Sequence, residues 1–205
     1  MKPFLALQLK KELLILMLLI FFYFHSAGQE KILYYDVMRN GNVIGYLILT
    51  QKIKDSAVYL ELKSEVKTSF LFFSYDSKVV ENALFENGQI IHSSYYKKEN
   101  GKEISVHTKK SDGYFKVLAN DDKVFQSYLS LHNNMLQLYC NSPDGDLKVY
   151  SNHYQKLLDL KKVAENRYRL MLPDGDSNYY NYKNGICTQV DVERALFTIH
   201  FVLRN

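Results

Sequence analysis

Seven of the nine glycines in this 205-residue chain directly follow an asparagine or aspartate. The pairs are Asn40-Gly41, Asn87-Gly88, Asn100-Gly101, Asp112-Gly113, Asp144-Gly145, Asp174-Gly175 and Asn184-Gly185. A two-residue hairpin turn needs positive φ at its centre, and Asn-Gly or Asp-Gly reaches that conformation at least cost. Most of the pairs separate runs rich in Tyr, Phe, Val, Ile and Leu. That arrangement predicts one long antiparallel meander. It constrains the architecture and leaves the activity open.

Individual segments sharpen this expectation. Ile32–Met38 and Val43–Gln51 flank Asn40-Gly41 and are apolar on both faces near their centres, so a cover is expected on each face. Val58, Leu60, Leu62, Ser64, Val66 and Thr68 alternate with Tyr59, Glu61, Lys63, Glu65 and Lys67, giving one dry and one wet face. A two-residue turn at Asn100-Gly101 pairs Glu99 with Lys102 and places Ile91, Ser93, Tyr95, Ile104, Val106 and Thr108 on the core face. Asp121–Tyr139 departs from the strand pattern. Phe125, Tyr128, Leu129, His132, Met135, Leu136 and Tyr139 recur at helical spacing, which predicts a helix stopped by Asn141 and Pro143. A strand with a bulge is the competing reading there. Six further strands are expected between Leu147 and Leu203. No repeat of fixed period and no low-complexity linker divides the chain.

The N-terminus reads as an address. Lys2, Lys10 and Lys11 precede an uncharged apolar run from Leu13 to Phe24, and Ser26, Ala27 and Gly28 follow. This is the plan of a secretory signal peptide over residues 1–28, leaving residues 29–205 as a single domain. As a helix that run covers roughly 18 Å, short of a hydrocarbon core of about 30 Å. The chain is therefore expected to be exported, to the periplasm, to the outer membrane or beyond the cell. Removing residues 1–28 takes away three lysines and one glutamate and lowers the formal charge from +4 to +2. Nothing in that balance suggests nucleic acid as a partner. Cys140 and Cys187 are too far apart for a CxxC motif. In an oxidising compartment they pair as a disulfide, or else they sit buried as small apolar thiols.

Few constellations carry chemistry. His92 and His107 fall diagonally on the outer face of the Asn100-Gly101 hairpin, among Ser and Lys, and read as polar surface rather than as metal ligands. Tyr179, Tyr180 and Tyr182 read as strand formers before they read as a stacking platform. Phe70-Leu71-Phe72-Phe73 and Tyr75 form the most apolar stretch of the mature chain, either a central strand packed on both faces or the wall of a concave pocket. There is no GxSxG elbow, no HExxH and no phosphate-cradling glycine loop. A catalytic role and a cofactor are accordingly not expected.

Tyr35–Thr50 (YDVMRNGNVIGYLILT) and Pro173–Val192 (PDGDSNYYNYKNGICTQVDV), together with the signal peptide, resemble uncharacterised secreted β-meander families of Gram-negative envelopes. Those in turn resemble the LolA/LolB-like half-barrel, a curved antiparallel sheet that holds acyl chains under a helical lid. The resemblance implies a meander curved into a half-barrel or open barrel, with one helix on its concave side. It also implies a hydrophobic or lipid-like ligand in the concavity, with walls from Phe70, Phe72, Phe73 and Tyr75 and a lid from Phe125–Tyr139, including Leu129. The alternative is a structural or adaptor envelope protein with a filled core and a protein partner.

Overall fold

The computed structural model describes residues 28–70, 73–111, 114–120, 122–126, 130–194 and 197–204, with backbone alone at 70, 73 and 122–126. The expected signal peptide lies, apart from Gly28, outside the described residues. The chain forms β1 (Gln29–Arg39), β2 (Asn42–Lys54), β3 (Ala57–Phe70), β4 (Phe73–Glu86), β5 (Gln89–Glu99), β6 (Lys102–Ser111), β7 (Tyr114–Ala119) and β8 (Asp122–Gln126). A one-turn helix, α1 (Gln137–Cys140), comes next. The second run is β9 (Leu147–Ser151), β10 (Lys156–Ala164), β11 (Arg167–Met171), β12 (Ser177–Lys183), β13 (Ile186–Arg194) and β14 (Phe197–Leu203).

The fourteen strands of the described residues belong to one open antiparallel sheet ordered β8-β7-β6-β5-β4-β3-β2-β1-β14-β13-β12-β11-β10-β9. The chain steps outward from β1 to one edge, crosses to the other edge, and steps back until β14 pairs with β1. Asn-Gly pairs at 40–41, 87–88, 100–101 and 184–185 hold both residues at positive φ and join neighbouring strands. The β5–β6 register is the predicted one, Glu99 opposite Lys102 and Tyr95 opposite Val106. Ser93 and Thr108 of its predicted core face are fully buried. A bulge shifts the β4–β5 register, so that Ile90, one residue before the expected Ile91, is the buried one.

The sheet is strongly rolled. Asn152, just after β9 at one edge, hydrogen-bonds Ser93 of β5 (2.6 Å) and Glu81 of β4 (2.8 Å). Tyr150 of β9 meets Thr108 of β6 at 2.9 Å. Only a sheet curled on itself brings strands so distant in its order face to face. The edge of β9 is covered by the segment that crosses the concavity, through Tyr150 N to Asn133 O (2.8 Å) and Met135 N to Tyr150 O (3.2 Å).

Three expectations are corrected. The continuous helix expected over Asp121–Tyr139 is not formed: Asp122–Gln126 pairs with Phe115–Ala119 as β8, and among the described residues of this stretch the helix is confined to Gln137–Cys140. Pairing with the edge of β7 satisfies the backbone of 122–126, and the apolar period continues only in the short helix. Leu131, which falls off the predicted helical stripe, is buried. Second, Phe70 pairs with Phe73 across the end of the β3–β4 hairpin, so this stretch ends a hairpin rather than filling the middle of a strand. Third, among the described residues nothing covers Ile32 and Tyr34 on the convex face. Ile32 and Tyr34 are 44% and 46% exposed there, while Leu33, Tyr35 and Val37 point into the core.

Gly45 sits where β2 is drawn against β3, next to a bulge in β2 that leaves Ile44 unpaired opposite the Val37–Met38 step of β1. A Cβ at this position would lie 2.1 Å from the Glu65 carbonyl oxygen. Gly45→Ala is expected to destabilise by about 1–3 kcal/mol, lowering Tm by roughly 3–10 °C in thermal melts followed by circular dichroism.

Candidate functional site

The crossing segment decides where the concavity is open. Leu131, Leu136, Leu138 and Tyr139 are buried inside the roll. Tyr182 donates to Leu138 O (2.7 Å), Tyr168 donates to Pro143 O (2.5 Å), and Ser142 N donates to Gly185 O (2.9 Å). Tyr139 meets Tyr35 and Tyr180 edge-on, at 5.4 and 6.0 Å between ring centroids. The expected lid is therefore a plug. It fills one half of the roll and leaves a cavity of about 550 Å³ in the other half, with Met135 and Tyr139 in its lining.

The cavity has two unlike walls. Val37, Ile44, Val66, Val192, Ile199 and Phe201, from β1, β2, β3, β13 and β14, make an apolar wall. Opposite, β4, β5, β9, β12 and the β9–β10 connection contribute Ser77, Glu81, Tyr95, Ser151, His153 and Asn178. Charged side chains gather at the strand ends that form the rim. There Lys97 pairs with Glu99, Arg194 lies 3.4 Å from Asp176, and Arg39 stacks 5.0 Å over Phe197. Tyr154 donates to Asp174 at 2.9 Å.

Among the six residues expected to bind ligand, Tyr75 lines this cavity. Phe72 and Leu129, and the side chains of Phe70, Phe73 and Phe125, lie outside the described residues. Glu81 and His153 escaped the sequence reading, and Tyr95, expected on the core face and buried there, was not expected to line a site. A signal for Glu81 existed: Tyr75, Ser77, Val79, Ala83 and Phe85 share its face of β4, which placed a carboxyl on an inward row. His153 sits in a connection without periodicity, where no such signal exists.

Glu81 is the deepest acid. Burial pushes its carboxyl up to about 7, against the opposing pull of the hydrogen bond from Asn152. The side chains that interact with it are uncharged at neutral pH: Asn152, Tyr95 of β5, Tyr139 of α1 and Tyr180 of β12. His153 lies 5.1 Å from Tyr95, centroid to centroid. Burial, reinforced by Lys97, holds its ring below the usual imidazole range. Its Nδ1 is shielded from solvent and has no hydrogen-bond partner among the described residues.

Cys140 and Cys187 are both buried free thiols. Burial pushes them up to about 11 and about 12. His92 and His107 lie on the outer face, 6.4 Å apart between ring centroids. Among the described residues no group of three or more His, Cys, Asp or Glu converges as a metal site. Of the tyrosine trio, Tyr180 and Tyr182 are buried, and Tyr179 lies under the Arg167 guanidinium at 4.7 Å.

A family model, Domain of unknown function (DUF6134), matches residues 35–204. The chain belongs to this family. That match spans β1 to β14 and so takes in both walls of the cavity and its plug. No curated protein and no solved structure matches the chain.

Two outcomes follow for this DUF6134 protein. In the unfolded chain Glu81 ionises near 4.5, whereas in the folded protein it keeps its proton to about 7. The folded state binds the extra proton between those values, so this group's contribution to stability declines as pH rises through that window. Glu81→Gln removes the dependence. Its Tm advantage over the native protein is expected to be roughly 5–10 °C larger at about pH 8 than at about pH 5. Both thiols are expected to resist a thiol reagent in the folded protein and to react fully in denaturant. A failure of either to react in denaturant without reductant would reveal a disulfide.

Proposed function

We propose that this protein is a non-catalytic binding module of the cell envelope that holds an amphipathic, lipid-like molecule in the concavity of its rolled sheet. The two unlike walls of the 550 Å³ cavity carry this reading. An apolar wall gains by burying alkyl surface, at about 25 cal/mol per Å². The polar wall opposite offers fixed hydrogen-bonding groups that orient what enters. Leu136, Leu138 and Tyr139 fill one half of the roll, and the cavity lies in the other half. The resemblance to half-barrel acyl carriers and the signal-like N-terminus are consistent with a role in carrying such a molecule outside the cytoplasm.

The adaptor reading draws on a different observation, the exposed Ile32, Tyr34 and Tyr46 on the convex face of β1 and β2. Native mass spectrometry of protein purified from cells separates the two. A lipid-sized adduct is expected, and Ile199→Trp, which fills the cavity from its apolar wall, is expected to cut adduct occupancy by about tenfold or more, a loss of ~1.4 kcal/mol, while the variant stays folded. A clean apo mass for the native protein, or an adduct unaffected in folded Ile199→Trp, would overturn the cavity as the binding site.

A further inference from the structure

The placement of charge within the cavity narrows the chemistry of what it holds. Among the described residues, the ion pairs that border the cavity sit at its rim: Lys97 with Glu99, and Arg194 with Asp176, whose side chains remain a fifth to a third exposed. Below the rim the polar wall changes character. Ser77, Tyr95, Ser151, Asn178 and Tyr180 are neutral hydrogen-bonding groups, and the one acid among them, Glu81, is nine-tenths buried with no cation in contact. Asn152 binds one of its oxygens, Oε1, and is itself locked by Ser93. His153, between this acid and the rim, adds a shielded Nδ1 that the described residues leave without a partner.

A buried polar atom left unpaired costs roughly 1–3 kcal/mol, and a partner supplied by a ligand recovers much of that. An anionic group placed here would meet Glu81 with no counter-charge at depth. A cationic group would have to be stripped of water far from the rim, and a buried ion pair returns that desolvation cost only with excellent geometry. A hydroxyl or carbonyl meets neither difficulty. It can accept from a protonated carboxyl or a phenol and, as a hydroxyl, donate to an imidazole nitrogen.

We propose that the cavity selects uncharged, hydroxylated amphiphiles of the monoacylglycerol type, whose hydroxyl or carbonyl oxygens engage Glu81 and His153 while the alkyl chain lies on the wall formed by Val66, Val192, Ile199 and Phe201. The selection deepens the binding-module reading and rests on it. A free fatty acid and an alkylamine of the same chain length are the ligands it excludes.

The test is competition at neutral pH between monoacylglycerol, fatty acid and alkylamine, all with the lauryl-length chain, for the uncharged fluorescent probe N-phenyl-1-naphthylamine bound to the mature protein. Monolauroylglycerol is expected to displace the probe with an affinity about tenfold or more above laurate and dodecylamine, a difference of ~1.4 kcal/mol. Glu81→Leu is expected to abolish that preference, whereas Glu81→Gln, which keeps the hydrogen-bonding capacity, preserves it. His153→Leu is expected to weaken the preference without lowering probe affinity. If laurate or dodecylamine competes as well as monolauroylglycerol, or if the preference survives in folded Glu81→Leu, this inference falls while the cavity stands as a ligand site. If neither the probe nor any of the three amphiphiles binds, the binding-module reading falls and takes this inference with it.

Discussion

A sheet one layer thick has two faces and only its own chain to cover them. Burial of one face is the constraint on which the rest of this structure depends. Fourteen strands laid flat would leave Leu33, Tyr35, Val37, Leu49 and Leu60 in water, and at about 25 cal/mol per Å² that loss exceeds anything turn chemistry can return. Rolling solves most of the problem, because β9 and the turn after it then meet the inward face of β4 to β6. The remaining gap is filled from within by residues 131–140. The segment that links the two halves of the meander thereby becomes their shared core.

The same solution explains why a cavity persists. The plug is held at one end of the roll by hydrogen bonds from Tyr168 and Tyr182 to its backbone, and by Tyr139 wedged between Tyr35 and Tyr180. Among its described residues, Met135 and Tyr139 meet the other end only as part of the cavity lining. The strands there keep their inward rows, so Val66, Ile199 and Phe201 face space rather than side chains of a second layer. Polar residues accumulate on the opposite wall because the β9–β10 connection enters there, and its backbone and side chains demand partners such as Glu81 and Ser93.

What could be read in the sequence follows from how local each cause is. Asn-Gly turns act over four residues, so the β5–β6 register was legible to the residue, and the clean alternation in β3 told which face was dry. Turns without glycine were marked only by the ends of the apolar runs beside them, with no turn residue to set the register. Asp55 and Asn166 adopt positive φ at hairpin ends with no glycine beside them. The helix expected over Asp121–Tyr139 failed because its N-terminal part had a sheet edge to join, a tertiary opportunity that periodicity cannot report. Apolar residues on both faces of β1 and β2 suggested a second layer, and the convex face carries them exposed instead. The candidate site was less legible still. Tyr75 belongs to it, but Glu81, Tyr95 and His153 converge from β4, β5 and the β9–β10 connection, and only the global roll brings them together.

The seam between β1 and β14 has a kinetic meaning. Tyr35 faces Leu203 across it, and Val37 faces Phe201, so the middle of the finished sheet joins the two most distant strands of the chain. Closing so large a loop is entropically slow, and contacts of long sequence separation are the ones that delay folding. Until the last strand is available, β1 keeps one edge unpaired in mid-sheet and the plug has no completed roll to enter. The two halves of the meander, each stepped together by hairpins between neighbours in sequence, are therefore expected to form before the seam that joins them.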